Sequence, residues 1–270
     1  MRKTLGSKRR GFTLVELLVV ITIIGLLIAI LVPAINIARV SAKNFAITAE
    51  VTQLSQGLEE YKNAFGDYPP NFNNGALLQR HLSKRQRLAP AQLTEFAKYV
   101  EGGSLPIDPA ETIPFWLGAQ STNASLHNNP VVPLQTGAIA SRTGEPKSFF
   151  GFDAGRLTDR DGDGWFEYTA PGSNGAPYVY FDGRSYANYT SNQVNIGTVN
   201  GQDRGSIKPF LAASPANSYV EPTKFQIISS GLDGLFGGGG VVYPTGPYAA
   251  NDRDNIASFS EGKTFQDATP

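Results

Sequence analysis

Residues 8–32 read KRRG followed by FTLVELLVVITIIGLLIAILV, and this stretch decides how the rest of the chain is placed. From Phe12 to Val32 there are 21 residues with one charge, Glu16. At 1.5 Å per residue such a helix spans roughly 30 Å, the thickness of a bilayer's hydrocarbon core. In front of it, Arg2, Lys3, Lys8, Arg9 and Arg10 stand among eleven residues without an acid. Behind it, Arg39 and Lys43 are the nearest cations, so the basic end is expected to stay cytoplasmic while the bulk of the chain crosses the membrane. A secretory signal peptide has the same basic-then-apolar order, and Val40-Ser41-Ala42 offers it a cleavage site. The length of the apolar run and its internal carboxylate argue for a retained helix, because a charge at such a position costs about 2–4 kcal/mol near the membrane centre and is a functional hypothesis by default.

Lys8-Arg9-Arg10-Gly11 followed by Phe12-Thr13-Leu14-Val15-Glu16 resembles the cleavage and methylation motif of type IV pilin-like proteins. The resemblance implies that a prepilin peptidase cuts between Gly11 and Phe12 on the cytoplasmic side and N-methylates Phe12. Gly11 admits the extended backbone to a protease site, and the freed amine of Phe12 is cationic near neutral pH. Glu16, one turn on, complements the positive helix end and can meet the Phe12 amine of a neighbouring copy, which removes the cost of burying either charge alone. Glu16 is therefore read as an assembly residue. Beyond Val32, Phe45, Thr48, Val51, Leu54, Leu58, Tyr61 and Phe65 recur at three- and four-residue steps, so the helix is expected to reach about residue 64 with an apolar stripe packed on its own globular body. Pro33 lies inside it and is expected to kink or locally melt it, as a proline does at the corresponding place in pilin-like helices.

The remaining composition points the same way. With the five leader cations set aside, 18 basic residues face 23 acidic ones, which disfavours nucleic acid as a partner. No cysteine is present, so disulfides and thiolate sites are excluded. No nucleophile elbow or Walker sequence occurs, and His81 and His127 are isolated and read as surface or loop histidines, so no catalysis is expected. Gly66-Asp67-Tyr68-Pro69-Pro70 ends the helix. Helical patterns cover 76–87 and 91–101, the first with Arg80, His81, Lys84, Arg85 and Arg87 on a basic, solvated face. Residues 102–146 read as a surface excursion. Strand patterns follow at Trp165–Thr169, Tyr178–Asp182, Lys224–Ser230 and Ile256–Ser260. The expected fold is α+β: a basic leader at 1–11, a long helix at 12–65 that is transmembrane at 12–32, and a globular part at 66–270. In that part an antiparallel sheet packs on the helix and a loop-rich insertion occupies about 71–223.

Tyr61 through Pro69, and the stretch from Ser229-Ser230-Gly231-Leu232-Asp233-Gly234 to Asp252-Arg253-Asp254-Asn255-Ile256, also resemble the G-type pseudopilins of type II secretion systems. In that family a Ser-x-Gly-x-Asp-Gly turn and an Asp-Asp-Ile stretch enclose calcium. The resemblance places Asp254, Asn255, Asp233 and the Ser230 carbonyl around the ion. Asn255 stands where a carboxylate is expected, Asp252 can substitute for it, and residues 241–250 exceed the family's length. An unclipped Asx-turn loop is the alternative. Asp159, Asp161, Asp163 and Gly164 match an EF-hand loop start with Glu167 at its ninth position, but Ala170 fails at the twelfth. A calcium half-loop borrowing Asp153 or Asp182 and a plain Asp/Gly turn both remain open.

The family resemblance implies a pseudopilin of a type II secretion system: an inner-membrane, single-pass subunit whose body is periplasmic. Its partners would be other pseudopilins, prepilin peptidase and the inner-membrane assembly platform. A type IV pilus subunit for adhesion, motility or DNA uptake is the nearest alternative. A membrane-anchored calcium-binding enzyme or ligand-binding domain is the third.

Overall fold

The computed structural model describes residues 11–86, 107–118, 148–162, 165–189, 193–199 and 201–270, with the side chains of 85 and 86 left aside. It divides into two compact units, Met1–Ala42 and Lys43–Pro270. Helix α1 runs through Leu14–Phe65 without interruption at Pro33, so the local melting expected there does not occur. Gly66, at φ 86°, closes it, and its N–H donates to Lys62 O. In the first unit the apolar side chains of α1 are exposed, Leu14 by 78% and Ile30 by 67%. This is the one described helix long and apolar enough to cross a membrane.

In the second unit the same helix becomes a core element. Ile47, Val51, Leu54, Leu58 and Tyr61 are buried at helical spacing. Phe45, placed on this stripe by its spacing, is instead 73% exposed, and Ile47 takes the inward position. The other helices are α2 (Gly75–Gln86), α3 (Thr112–Leu117) and α4 (Phe265–Ala268). The strands are short: β1 (Leu157–Thr158), β2 (Glu167–Tyr168), β3 (Val179–Asp182), β4 (Val194–Asn195), β5 (Thr198–Val199), β6 (Gln202–Asp203), β7 (Gly205–Ile207), β8 (Leu211–Ala212), β9 (Phe225–Ser229), β10 (Phe236–Gly237), β11 (Val242–Tyr243) and β12 (Ile256–Ala257).

The fold is α+β and pilin-like, with a central antiparallel sheet ordered β12-β9-β3. Tyr178, Tyr180, Ile227 and Ile256 pack towards α1, while Val179, Phe181, Ile228 and Ala257 face a second cluster with Ile207, Phe210, Phe236 and Phe265. Alternate side chains of each strand thus go to opposite cores, and β3 and β9 are buried throughout. Two pairings depart from the antiparallel expectation: β10 with β7 and β11 with β8 are parallel. The edge of β3 is covered by residues of the insertion. Asn71 Nδ2 donates to Tyr180 O at 2.9 Å, Asn71 Oδ1 accepts from Asp182 N at 2.7 Å, and Tyr180 N donates to Pro109 O at 2.9 Å.

Two further expectations need correction. Residues 107–118, read as part of a surface excursion, carry the buried α3, because the aromatic Phe115 and Trp116 close the core beside Phe72 and Tyr61. His81 is not a surface or loop histidine. It lies on the inner face of α2, 2% exposed, with Nε2 2.7 Å from Tyr61 Oη and its ring edge-on to Trp116. Its place was misread because the basic residues around it define the opposite face. The pattern at 91–101 and His127 lie outside the described residues.

Candidate functional site

At the start of α1, Thr13 and Glu16 form a reciprocal cap. Thr13 N and Thr13 Oγ1 donate to Glu16 Oε2 at 2.9 and 2.8 Å, and Glu16 N donates to Thr13 Oγ1 at 3.2 Å. The Thr-x-x-Glu spacing satisfies two orphan N–H groups of the first turn and puts the carboxylate at the positive helix end. Thr13 was legible in that spacing, and the sequence reading passed over it. Gly11 and Phe12 precede the cap, exposed and outside regular structure.

The C-terminal loop brings together the residues expected there. Asp254, just before β12, faces the turn that follows β9, and its Oδ2 accepts from Leu232 N and Asp233 N at 2.8 and 3.0 Å. Asp252 Oδ1 accepts from Gly237 N and from Asn255 Nδ2, and its Oδ2 accepts from Gly239 N. Asp233 Oδ1 accepts from Leu235 N at 2.7 Å. Gly231, at φ 65°, is required: a Cβ there would stand 2.5 Å from Asp254 Oδ2. Burial pushes the Asp233 carboxyl up to about 6, with Asp254 and Asp252 adding like charge, and burial also raises Asp252.

Ser230 Oγ, Asp254 Oδ1 and Asn255 Oδ1 are buried without a hydrogen-bond partner, and Ser230 and Asn255 are fully inaccessible. Buried oxygens left unpaired are costly, and a set made of carboxylate, amide and hydroxyl oxygens is the donor chemistry of a hard cation. The donor types suit a hard cation, although Asp252 spends both oxygens on backbone and amide donors, and the three carboxylates of this loop do not converge within 4.8 Å as those of Glu111, Asp161 and Glu167 do.

The 159–167 cluster is arranged differently. Glu167 is fully buried, and its Oε1 accepts from Arg160 Nε at 2.9 Å. Arg160 Nη2 also lies 3.6 Å from Asp108. Burial pushes Glu167 up to about 7, Arg160 opposing. One ligand oxygen each from Glu111, Asp161 and Glu167 lies within 4.8 Å of the others. Glu111 comes from α3's leading edge, and no local spacing signals it. Asp159 Oδ1 is buried without a partner, and Asp163 lies outside the described residues. Asp153 and Asp182, the two candidates for a borrowed ligand, are engaged elsewhere, Asp153 with Gly155 N and Arg156, Asp182 with Arg184.

A family model described as the prokaryotic N-terminal methylation motif matches residues 6–32. The chain is also 32% identical over 106 residues to the type II secretion system core protein G of Klebsiella pneumoniae, covering 38% of this chain and 70% of that relative. No solved structure matches.

Proposed function

Because the chain belongs to the family of type II secretion system core protein G, the G-type pseudopilins, we propose that it is a filament subunit. In this reading it is drawn from the inner membrane into a periplasmic filament that drives folded proteins outward. The leader is cytoplasmic, the body periplasmic, and the work mechanical. The observation that carries the reading is the capped Glu16 at the head of an exposed apolar helix in a chain related to core protein G. Prepilin peptidase cuts between Gly11 and Phe12 and methylates the new amine. Glu16 then pairs with the Phe12 amine of a neighbouring copy as the apolar half of α1 leaves the lipid, and Pro33 gives the helix room to adjust as copies pack. An unpaired carboxylate would oppose that transfer, so pairing couples register to assembly.

Calcium belongs to the same reading. Ser230, Asp233, Asp252, Asp254 and Asn255 would hold it, and its chemistry is to tie the 230–240 turn to the 252–255 turn through shared oxygens. A lesser candidate set comprises Asp159, Asp161, Asp163 and Glu167, joined by Glu111.

The test is co-expression of the full chain with prepilin peptidase, followed by mass spectrometry of the N-terminus and cross-linking in membranes. N-methyl-Phe12 is expected as the first residue of wild type and of Glu16→Ala alike, with cross-linked copies only in wild type. An unprocessed chain, or oligomers of Glu16→Ala at wild-type level, contradicts the reading.

A further inference from the structure

The insertion returns repeatedly to the C-terminal loop. Gly205 and Ser206 of β7 pair with Phe236 and Gly237 of β10, and Leu211 and Ala212 of β8 pair with Val242 and Tyr243 of β11. Between these contacts Gly238 N donates to Ser206 O at 2.8 Å. Immediately before β7 stands Arg204, 2% exposed. Among the described residues its guanidinium makes no ion pair with a carboxylate. Its Nη1 donates to Gly234 O at 3.3 Å and to Gln202 Oε1 at 3.4 Å, and its Nη2 donates to Asn174 O at 2.5 Å and Val199 O at 3.4 Å. The backbone holds it from both sides: Arg204 N donates to Gly197 O and Phe236 N to Arg204 O, each at 2.8 Å.

Burying a cation costs several kcal/mol, and three carbonyls recover only part of that. The planar fork of arginine suits a site where one group must reach several acceptors in fixed directions. Gly234 directly follows Asp233, and a Cβ on it would stand 2.2 Å from Ser173 O and 2.8 Å from Arg204 Nη1, so the turn that presents Asp233 is packed against both that carbonyl and the guanidinium.

We propose that Arg204, a residue of the insertion, is a positioning residue for calcium. Its fork holds the Asp233-Gly234 turn against Asn174 and Val199, so that the donor set is formed before the ion arrives. This rests on the calcium reading of the loop. Electrostatics and positioning pull in opposite directions here, which makes the idea decidable. Losing a nearby positive charge favours cation binding, whereas losing the fork disfavours it.

The experiment is calorimetric titration of the EDTA-treated full chain in detergent micelles with calcium chloride, for wild type, Arg204→Met and Arg204→Lys. Thermal unfolding in EDTA is recorded alongside. Loss of an outer-sphere partner typically weakens metal binding by about tenfold or more, and this is expected for Arg204→Met. Arg204→Lys keeps the charge without the fork and is expected to be weakened as well. Unchanged or tighter calcium binding in a folded variant overturns the proposal, including the case in which only the melting temperature falls. If Arg204→Met does not fold, Arg204→Lys decides on the same criterion. A wild-type chain that takes up no calcium removes the calcium reading itself, and the proposal with it.

Discussion

At Glu50 one carboxylate of α1 serves three side chains of the body. Arg156 pairs with it through both terminal nitrogens, Tyr178 Oη donates at 2.8 Å and Tyr168 Oη at 2.9 Å. Burial, followed by these hydrogen bonds and the Glu50 charge, pushes the Tyr168 hydroxyl up to about 12, so it remains a donor at any physiological pH. Glu50→Gln leaves the half-buried Arg156 with only the exposed Asp153 carboxylate at 3.6 Å as counter-charge and is expected to cost about 2 kcal/mol in chemical unfolding of the full chain. Stability within a few tenths of wild type would contradict the anchoring role. Of the residues that carry the account, Gly11, Phe12 and Glu16 were legible because the motif compresses its chemistry into nine residues. Glu50 and Arg204 were not. Each sits on a segment whose local pattern explains it as a solvated charge, and their partners lie 106 and 30 residues away.

The helix and the strands of the central sheet were legible as elements, since hydrophobic spacing and Gly/Pro punctuation mark them. What the spacing did not reveal was that the sheet is buried on both faces. An amphipathic helix implies one core. The second core depends on Ile207, Phe210 and Phe236 returning from distant loops. The same long-range closure builds the C-terminal loop, whose two turns, 230–240 and 252–255, are joined through Asp254 and Asp252. At this scale the prediction concerns metal. Calcium at about a hundred times its dissociation constant should stabilise the folded chain by about 2.7 kcal/mol. Its removal by EDTA should lower the melting temperature accordingly. Asp254→Ala should abolish the calcium-dependent part while lowering the metal-free melting temperature too, because Leu232 N and Asp233 N lose their acceptor. A calcium shift that survives in Asp254→Ala would place the ion elsewhere, with the Glu111, Asp161 and Glu167 group next in line.

Taken whole, the molecule joins an exposed apolar helix segment to a body that keeps its own two-core fold from Lys43 onward. The Thr13–Glu16 cap would serve the start of any helix, so what separates an assembling subunit from a plain anchor is whether the Glu16 carboxylate is needed for assembly. Similarity to core protein G covers 38% of the chain, and the insertion lies largely beyond what the motifs explain. Its described parts cover the edge of β3 and brace the C-terminal loop. The central claim is that this subunit drives protein export through Glu16-dependent assembly. The most direct test is the extracellular proteome of a deletion strain, complemented in parallel with wild type and with Glu16→Ala. The account predicts that exported proteins accumulate inside the deletion strain, return to the medium with wild type, and remain trapped with Glu16→Ala although the variant is inserted and processed. Normal export in the deletion strain, with loss of surface fibres, motility or DNA uptake instead, would contradict it and assign the chain to a pilus.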